Sequence, residues 1–388
     1  MPRPVVVTRV TASDATGVAA GLADASRGPA VEQVTARAFA IPTDAPESDG
    51  TIAWDSTTIV LVEARAAGVR GLGYSYADAA AREVVVHLLR DVVVGRDALA
   101  VTACWSAMAR AVRNAGKPGI ASHAISAVDV ALWDLKARLL GVPLVALLGA
   151  AREAIPAYGS GGFTSYDDAR LRAQLAGWVR QGIGAVKMKV GREPARDVHR
   201  VREARDAIGD AAELYVDANG AYARKQALAF AARFAELGVT WFEEPVTSDD
   251  VAGLRLLRDR APAGMRIAAG EYAYSLYDAR RLLEGGAVDV LQVDGTRCGG
   301  LSGVLRASAL CEAHGVPLSA HTAPSLHAHA CCAALAACNV EYFHDHARIE
   351  RLLFDGAIEP VHGLLAPDRT RPGLGLELKE AEARRYEV

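Results

Sequence analysis

The stretch V-K-M-K-V-G, residues 186–191, decides how this chain is read. Lys187 and Lys189 stand two residues apart in an apolar run. A strand turns every second side chain to the same face, so both ammonium groups leave on one side. An apolar strand face is a costly place for two charges unless partners wait for them there.

The surroundings of that stretch have one repeating texture. From about residue 151 onward, short apolar segments alternate with amphipathic ones: A-I-P-A-Y (154–158), A-V-K-M-K-V (185–190), E-L-Y-V-D-A (213–218), V-T-W-F-E-E-P (239–245), R-I-A-A-G-E (266–271), V-L-Q-V-D (290–294) and P-L-S-A-H (317–321). Near-continuous apolar strands separated by helices predict a parallel sheet covered on both sides. Seven such units in succession fit a closed β/α barrel better than an open doubly wound sheet. Asp217, Glu243, Glu271, Asp294 and His321 each stand at or near the C-terminal end of their strand, and in a barrel those ends converge on the active-site face. Neighbouring carboxylates repel and raise one another's pKa, so a cation between them is the simplest remedy, and all-oxygen ligation points to Mg²⁺ or Mn²⁺ rather than zinc.

Taken singly, each residue has an ordinary structural reading: Asp217 as a turn former, the K-x-K strand as an exposed edge, Asp294 as a cap, His321 as a core histidine. For His123, His327 and His329 the structural reading is the one adopted. Period two sends one of Glu243 and Glu244 inward and the other out without saying which. It is the ordered set, one polar group per consecutive unit, that the ordinary readings leave unexplained.

Toward the N-terminus the texture differs. Residues 1–30 read as an extension rich in Ala, Gly, Ser and Asp. V-E-Q-V-T-A-R-A-F-A (31–40) alternates as a strand, I-P-T-D-A-P-E-S-D-G (41–50) reads as a loop, and T-T-I-V-L-V-E-A (57–64) and G-L-G-Y-S-Y (71–76) complete a meander. Helical periodicity follows over 79–90, 97–115 and 122–140, the last closed by Gly141 and Pro143.

Composition bounds the function. In a chain of 388 residues, 51% apolar and 23% charged, 43 Lys+Arg against 46 Asp+Glu leave a formal charge of −3. That lacks the basic excess of a nucleic-acid binder. No apolar run is long enough to span a membrane. Six irregularly spaced cysteines fit reduced thiols in a cytoplasm.

Seven motifs together resemble the enolase superfamily, specifically its mandelate racemase subgroup. They are A-V-D-V-A-L-W-D-L-K-A-R (127–138), V-K-M-K-V-G (186–191), V-D-A-N-G-A-Y (216–222), W-F-E-E-P (241–245), A-G-E (269–271), D-G-T-R-C-G-G (294–300) and L-S-A-H (318–321). The resemblance runs from about Val31 to the C-terminus. It implies an α/β fold, a modified TIM barrel of (β/α)₇β form over residues 151–349. An α+β capping domain is built from 31–150 together with about 350–388. It implies a small-molecule carboxylate as the partner. It implies one Mg²⁺ on Asp217, Glu243 and Glu271, which selects Glu243 over Glu244. It makes Lys189 the base on one side of the substrate carbon and His321, paired with Asp294, the acid/base on the other. Lys187 is the electrostatic neighbour expected to help lower the Lys189 pKa. Glu341 and Asn219 are expected at the substrate, and Trp54 and Tyr74 on capping loops around 43–56 and 74–77.

The implied reaction is dehydration of a sugar acid, an aldonate or aldarate. The alternative is racemisation or epimerisation of a 2-hydroxy acid through the same ene-diolate. Members of the subgroup commonly form dimers or octamers. Outside this family, a Schiff-base lyase using Lys187 or Lys189, or a non-catalytic binding protein, are the competing classes. The binding-protein reading is weakened because no base or ligand position is missing.

Overall fold

The structure is a computed structural model that describes residues 27–388. Most of the expected N-terminal extension therefore lies outside the described residues; Ala30, at its end, bridges to Asp97.

Strands β1 (Gln33–Ser48), β2 (Ala53–Ala66) and β3 (Val69–Tyr76) form an antiparallel meander in that order. Alternation along β2 shows why it is buried on both faces: Ile59 and Leu61 join the core shared with the barrel, while Val60 and Val62 join a second core under the helices that follow. The segment read as a loop, I-P-T-D-A-P-E-S, instead continues β1 to Ser48. The ladder runs from Gln33↔Arg65 to Pro42↔Ser56, breaks, and resumes at Glu47↔Trp54. That irregularity begins right after Pro42, the last paired residue before it, and takes in Pro46; neither proline can donate to a regular ladder.

The helix Ile120–Leu139 packs on this sheet, and its spacing from β3 is set by glycine. A Cβ on Gly73 would lie 2.3 Å from both the Ala127 carbonyl oxygen and the Ala131 nitrogen. Two aspartates of the same helix fasten the parts together. Asp129 accepts from the Ser302 N–H (3.0 Å) and hydroxyl (2.7 Å) on a barrel helix. Asp134, fully buried, accepts from the Leu72 N–H (2.7 Å), the Leu374 N–H (2.6 Å) and the Arg138 Nε (2.7 Å). The motif A-V-D-V-A-L-W-D-L-K-A-R is thus a clamp between sheet, barrel and tail.

Eight parallel strands close the barrel: β4 (Ile155–Gly161), β5 (Ala185–Lys189), β6 (Glu213–Asp217), β7 (Val239–Glu243), β8 (Arg266–Ala269), β9 (Val290–Val293), β10 (Leu318–Ala320) and β11 (Ala337–Phe343). Each pairs with the next, and β11 pairs with β4 from Val340↔Ala157 to Phe343↔Ser160. The eighth strand carries N-V-E-Y-F, so Glu341 lies within the barrel wall. The C-terminal tail returns to the cap, where the Val388 N–H donates to the Ala38 carbonyl (3.0 Å) and Arg37 pairs with Glu380 and Glu387.

Removing one partner of a buried ionic network leaves the others unpaired, typically at about 3–5 kcal/mol. Asp134→Ala is therefore expected to destabilise the protein by about 3 kcal/mol, read as a lowered urea midpoint. A midpoint equal to that of the wild type would contradict the clamp.

Candidate active site

The barrel register brings the strand-end residues side by side. Lys189 pairs with Asp217, and Asp217 with Glu243, across β5, β6 and β7. Glu271 follows β8, Asp294 follows β9 and His321 follows β10 by one or two residues. Local backbone strain marks the same rim. Asn219, Glu244, Thr322 and Ala323 all have positive φ (46°, 36°, 53° and 40°). Non-glycine residues held there cost on the order of 1–3 kcal/mol each, and such strain concentrates at functional sites.

The two lysines have found their partners. Lys187, with no exposed surface, touches three carboxylates: Glu243, Glu341 (2.9 Å) and Asp217 (3.5 Å). Burial opposes its charge, but those carboxylates outweigh burial and hold it protonated. Lys189 Nζ lies 2.5 Å from Asp217 Oδ2. Burial again lowers its pKa, yet Asp217 outweighs both burial and the opposing charge of Lys187, and the net direction is upward. The adjacent lysine pushes the pKa down, as expected of it, and the Asp217 carboxylate in contact pushes up harder; a cation on that carboxylate is the other half of the expected lowering.

Opposite them stands His321. Its Nδ1 lies 2.8 Å from Asp294 Oδ2, which assigns the proton to Nδ1 and leaves Nε2 facing Glu271 Oε2 (3.3 Å) and Glu341 Oε2 (3.7 Å). Burial raises the Asp294 pKa, but the bond from His321 and the charge of Arg297 hold it well below the usual carboxylate range. Arg297 spans Asp294 (3.3 Å) and Glu271 (3.2 Å) and lies over the Tyr272 ring.

Counting charge here tests for a cation. Asp217, Glu243, Glu244, Glu271, Asp294 and Glu341 are six buried carboxylates, against Lys187, Lys189 and Arg297. Burial and Glu271 push Glu244 well up, toward the neutral acid. Burial pushes Glu243 up as well, and six buried carboxylates gathered around three fixed cations leave an excess of acidic groups that a cation would relieve. Carboxylate oxygens of Asp217, Glu243 and Glu271 lie within 4.8 Å of one another, and Glu271 Oε2 is buried without a hydrogen-bond donor. This all-oxygen set fits Mg²⁺ or Mn²⁺.

Glu243 and Glu244 do not divide into one inward and one outward residue. The strand ends at Glu243 and Glu244 turns out of strand geometry, so both are buried and period two no longer applies.

An open cavity of about 390 Å³ lies over these residues, lined by Lys189, His321 and Glu271 from the barrel. Asn219 lines it too, with its buried Oδ1 lacking a donor. Trp54 reaches it from the cap, its ring edge-on to Phe163 at 5.6 Å. Tyr74 does not line it. That tyrosine is fully buried, packed on Phe354, with its hydroxyl donating to Glu350 (2.7 Å), because its strand position faces the shared core. Tyr76, two residues on, is the tyrosine at the cavity.

Sequence reading missed His346, which lines the cavity stacked on Tyr76 at 3.4 Å between ring centres. The available signal was its place just after the N-V-E-Y-F strand, where polar residues follow other strand ends. His327 and His329 are structural, as read. The Gly295 N–H donates to His327 Nε2 (2.8 Å) and its Nδ1 faces the Thr322 carbonyl (2.7 Å). His329 bridges the Val145 N–H and the Leu374 carbonyl. His123 is bonded to Ser75 (3.0 Å).

Comparison with known proteins agrees with this geometry. Residues 33–149 match the family described as mandelate racemase/muconate lactonizing enzyme, N-terminal domain, and residues 170–382 match enolase C-terminal domain-like. The chain is 32% identical over 374 residues to an L-talarate/galactarate dehydratase of Salmonella typhimurium, covering 93% of this chain and 92% of the relative. It is similar to the crystal structure of a mandelate racemase/muconate lactonizing enzyme-like protein from Rubrobacter xylanophilus (TM-score 0.91, 56% identity, 93% of this chain and 100% of that one). It is also similar to that of a racemase from Streptomyces coelicolor with bound magnesium (TM-score 0.87, 30% identity, 92% and 100%).

If the three carboxylates hold a divalent ion, Glu271→Ala should leave the far-ultraviolet circular dichroism unchanged. In the same variant, Mn²⁺ affinity measured by calorimetry should drop by at least tenfold, on the order of 1.4 kcal/mol.

Proposed function

We propose, from the premise that this chain belongs to the mandelate racemase/muconate lactonizing enzyme family, that it dehydrates a sugar acid to a 2-keto-3-deoxy acid in a Mg²⁺-dependent reaction. The observation that carries this reading is the placement of Lys189 and His321 in one cavity, beside three converging carboxylates. The 32% identity to a sugar-acid dehydratase across nearly the whole of both chains supports it.

Asp217, Glu243 and Glu271 would hold the metal. What Mg²⁺ supplies there is positive charge against the negative charge that develops on a substrate carboxylate, together with an offset to Asp217, the carboxylate that keeps Lys189 protonated. Enolase-superfamily enzymes combine a lysine or histidine base with such an ion, and Lys189 and His321 are the groups of this chain that fit the part. Lys189 Nζ, once neutral, takes the proton α to the carboxylate. Lys187, fixed by Glu243 and Glu341, stays charged and holds those side chains in place. His321 carries a proton on Nε2 to the departing β-hydroxyl, which leaves as water, and the enol tautomerises to the keto acid. Asp294 supports the imidazolium from the Nδ1 side, as carboxylate partners of catalytic histidines do. Asn219 Oδ1 is free to accept from a substrate hydroxyl, and Trp54 closes the cap side.

Two bases in one cavity also suit a racemase or epimerase. In that reading, Lys189 and His321 exchange the α-proton on opposite faces of a substrate without a leaving group. A cytoplasmic location belongs to the same proposal, as does assembly into a homo-oligomer. The six free thiols support the location; within the described residues, no helix is long and apolar enough to cross a membrane.

The test is a library of aldonates and aldarates incubated with Mg²⁺ and assayed for 2-keto acid. A silent library, combined with α-proton exchange of a 2-hydroxy acid in D₂O, would move the assignment to racemisation. Lys189→Ala and His321→Asn are each expected to lower kcat by at least about 10³-fold, within the range general acid–base groups contribute. Full turnover in either variant would sink the mechanism. Asp294→Asn is expected to lower kcat more than it raises KM, since it disturbs the tautomer of His321 rather than a substrate contact.

A further inference from the structure

A second group of potential ligands lies outside the barrel mouth. Asp44 sits in the irregular part of β1 that follows Pro42, and Glu47 is the residue at which the ladder resumes. His344 opens the helix that follows the last barrel strand, β11. One carboxylate oxygen from each acid and one ring nitrogen of His344 lie within 4.8 Å of one another. His344 Nε2 and Asp44 Oδ2 are 3.1 Å apart. That contact is a hydrogen bond as it stands, and its length is close to the separation, about 3.3 Å, of two ligands on a tetrahedral ion with metal–ligand distances near 2.0–2.1 Å.

Glu47 supplies an independent sign of a missing partner. It is 1% exposed, its Oε2 accepts from Trp54 Nε1 (2.9 Å), and its Oε1 is buried with no donor. The nearby arginines pair with other carboxylates, Arg170 with Asp44 Oδ1 (3.2 Å) on the flank of this same cluster and Arg348 with Asp345, and neither bonds Glu47. A buried carboxylate in that position has two remedies, a proton or a cation. Glu47 also lines an open cavity of about 660 Å³.

We propose that Asp44, Glu47 and His344 form a second divalent-cation site, selective for a Zn²⁺-like ion, that ties the cap strand to the last strand–helix junction of the barrel. The mixed nitrogen and carboxylate set distinguishes it from the all-oxygen set in the barrel, and three protein donors leave a position for water. Its consequence reaches the cavity. Trp54 hangs from Glu47 by its indole N–H and lines the active-site cavity, so an ion on Glu47 would hold that wall in place.

The test uses the full chain saturated with Mg²⁺ and titrated with Zn²⁺ by calorimetry, with bound Mg²⁺ and Zn²⁺ counted by elemental analysis after desalting. The expected result is one Zn²⁺ per chain bound while Mg²⁺ is retained, with a rise in melting temperature. Glu47→Gln and His344→Gln are each expected to weaken that Zn²⁺ binding at least tenfold and to remove the rise. Glu47→Gln keeps an acceptor for Trp54, and His344→Gln tests the site from a different element if the first variant folds poorly. Zn²⁺ that replaces Mg²⁺ mole for mole, no additional Zn²⁺, or wild-type affinity in both variants would overturn the proposal.

Discussion

Buried charge at one end of the barrel must be neutralised within a few ångströms, and that requirement organises the site. Lys187 meets three carboxylates without any exposure to water, and Lys189 meets Asp217. Such a cluster is tolerable only if every member keeps its partner, because an isolated buried ion costs far more than a hydrogen bond returns. The excess of acidic groups creates the demand for a cation, and two of the three carboxylates that would meet it, Asp217 and Glu243, also hold the lysines. Metal, base and positioning lysine are therefore one electrostatic unit.

The cap matters because the barrel alone leaves that unit open. A glycine at position 73 and two buried aspartates of the helix Ile120–Leu139 bring the meander, the barrel and the C-terminal tail into contact. The irregular end of β1 then carries Glu47 to the barrel rim, and β2, opposite it, carries Trp54. The positive-φ residues at the strand ends indicate that the rim is strained, and the packing beneath it, from Val186, Met188 and Phe242 among others, is what holds it there.

What the sequence by itself determined was the ordered set. Hydrophobic continuity told parallel strands from exposed ones, and a polar residue at the end of each successive strand marked Lys189, Asp217, one of the adjoining Glu243 and Glu244, Glu271, Asp294 and His321 as neighbours, since a barrel has only one face where those ends meet. Tertiary structure decided what depends on three-dimensional contact. Tyr74 and Tyr76 share a strand face, yet one is bonded to Glu350 in the core and the other reaches the cavity. Glu244 turns inward because the strand stops before it. The direction of the Lys189 pKa turned on a carboxylate 2.5 Å away on a neighbouring strand. The proline-rich end of β1 pairs despite its composition because β2 lies against it. Periodicity reports which way a side chain leaves its own backbone; what it meets there is set by residues tens or hundreds of positions away.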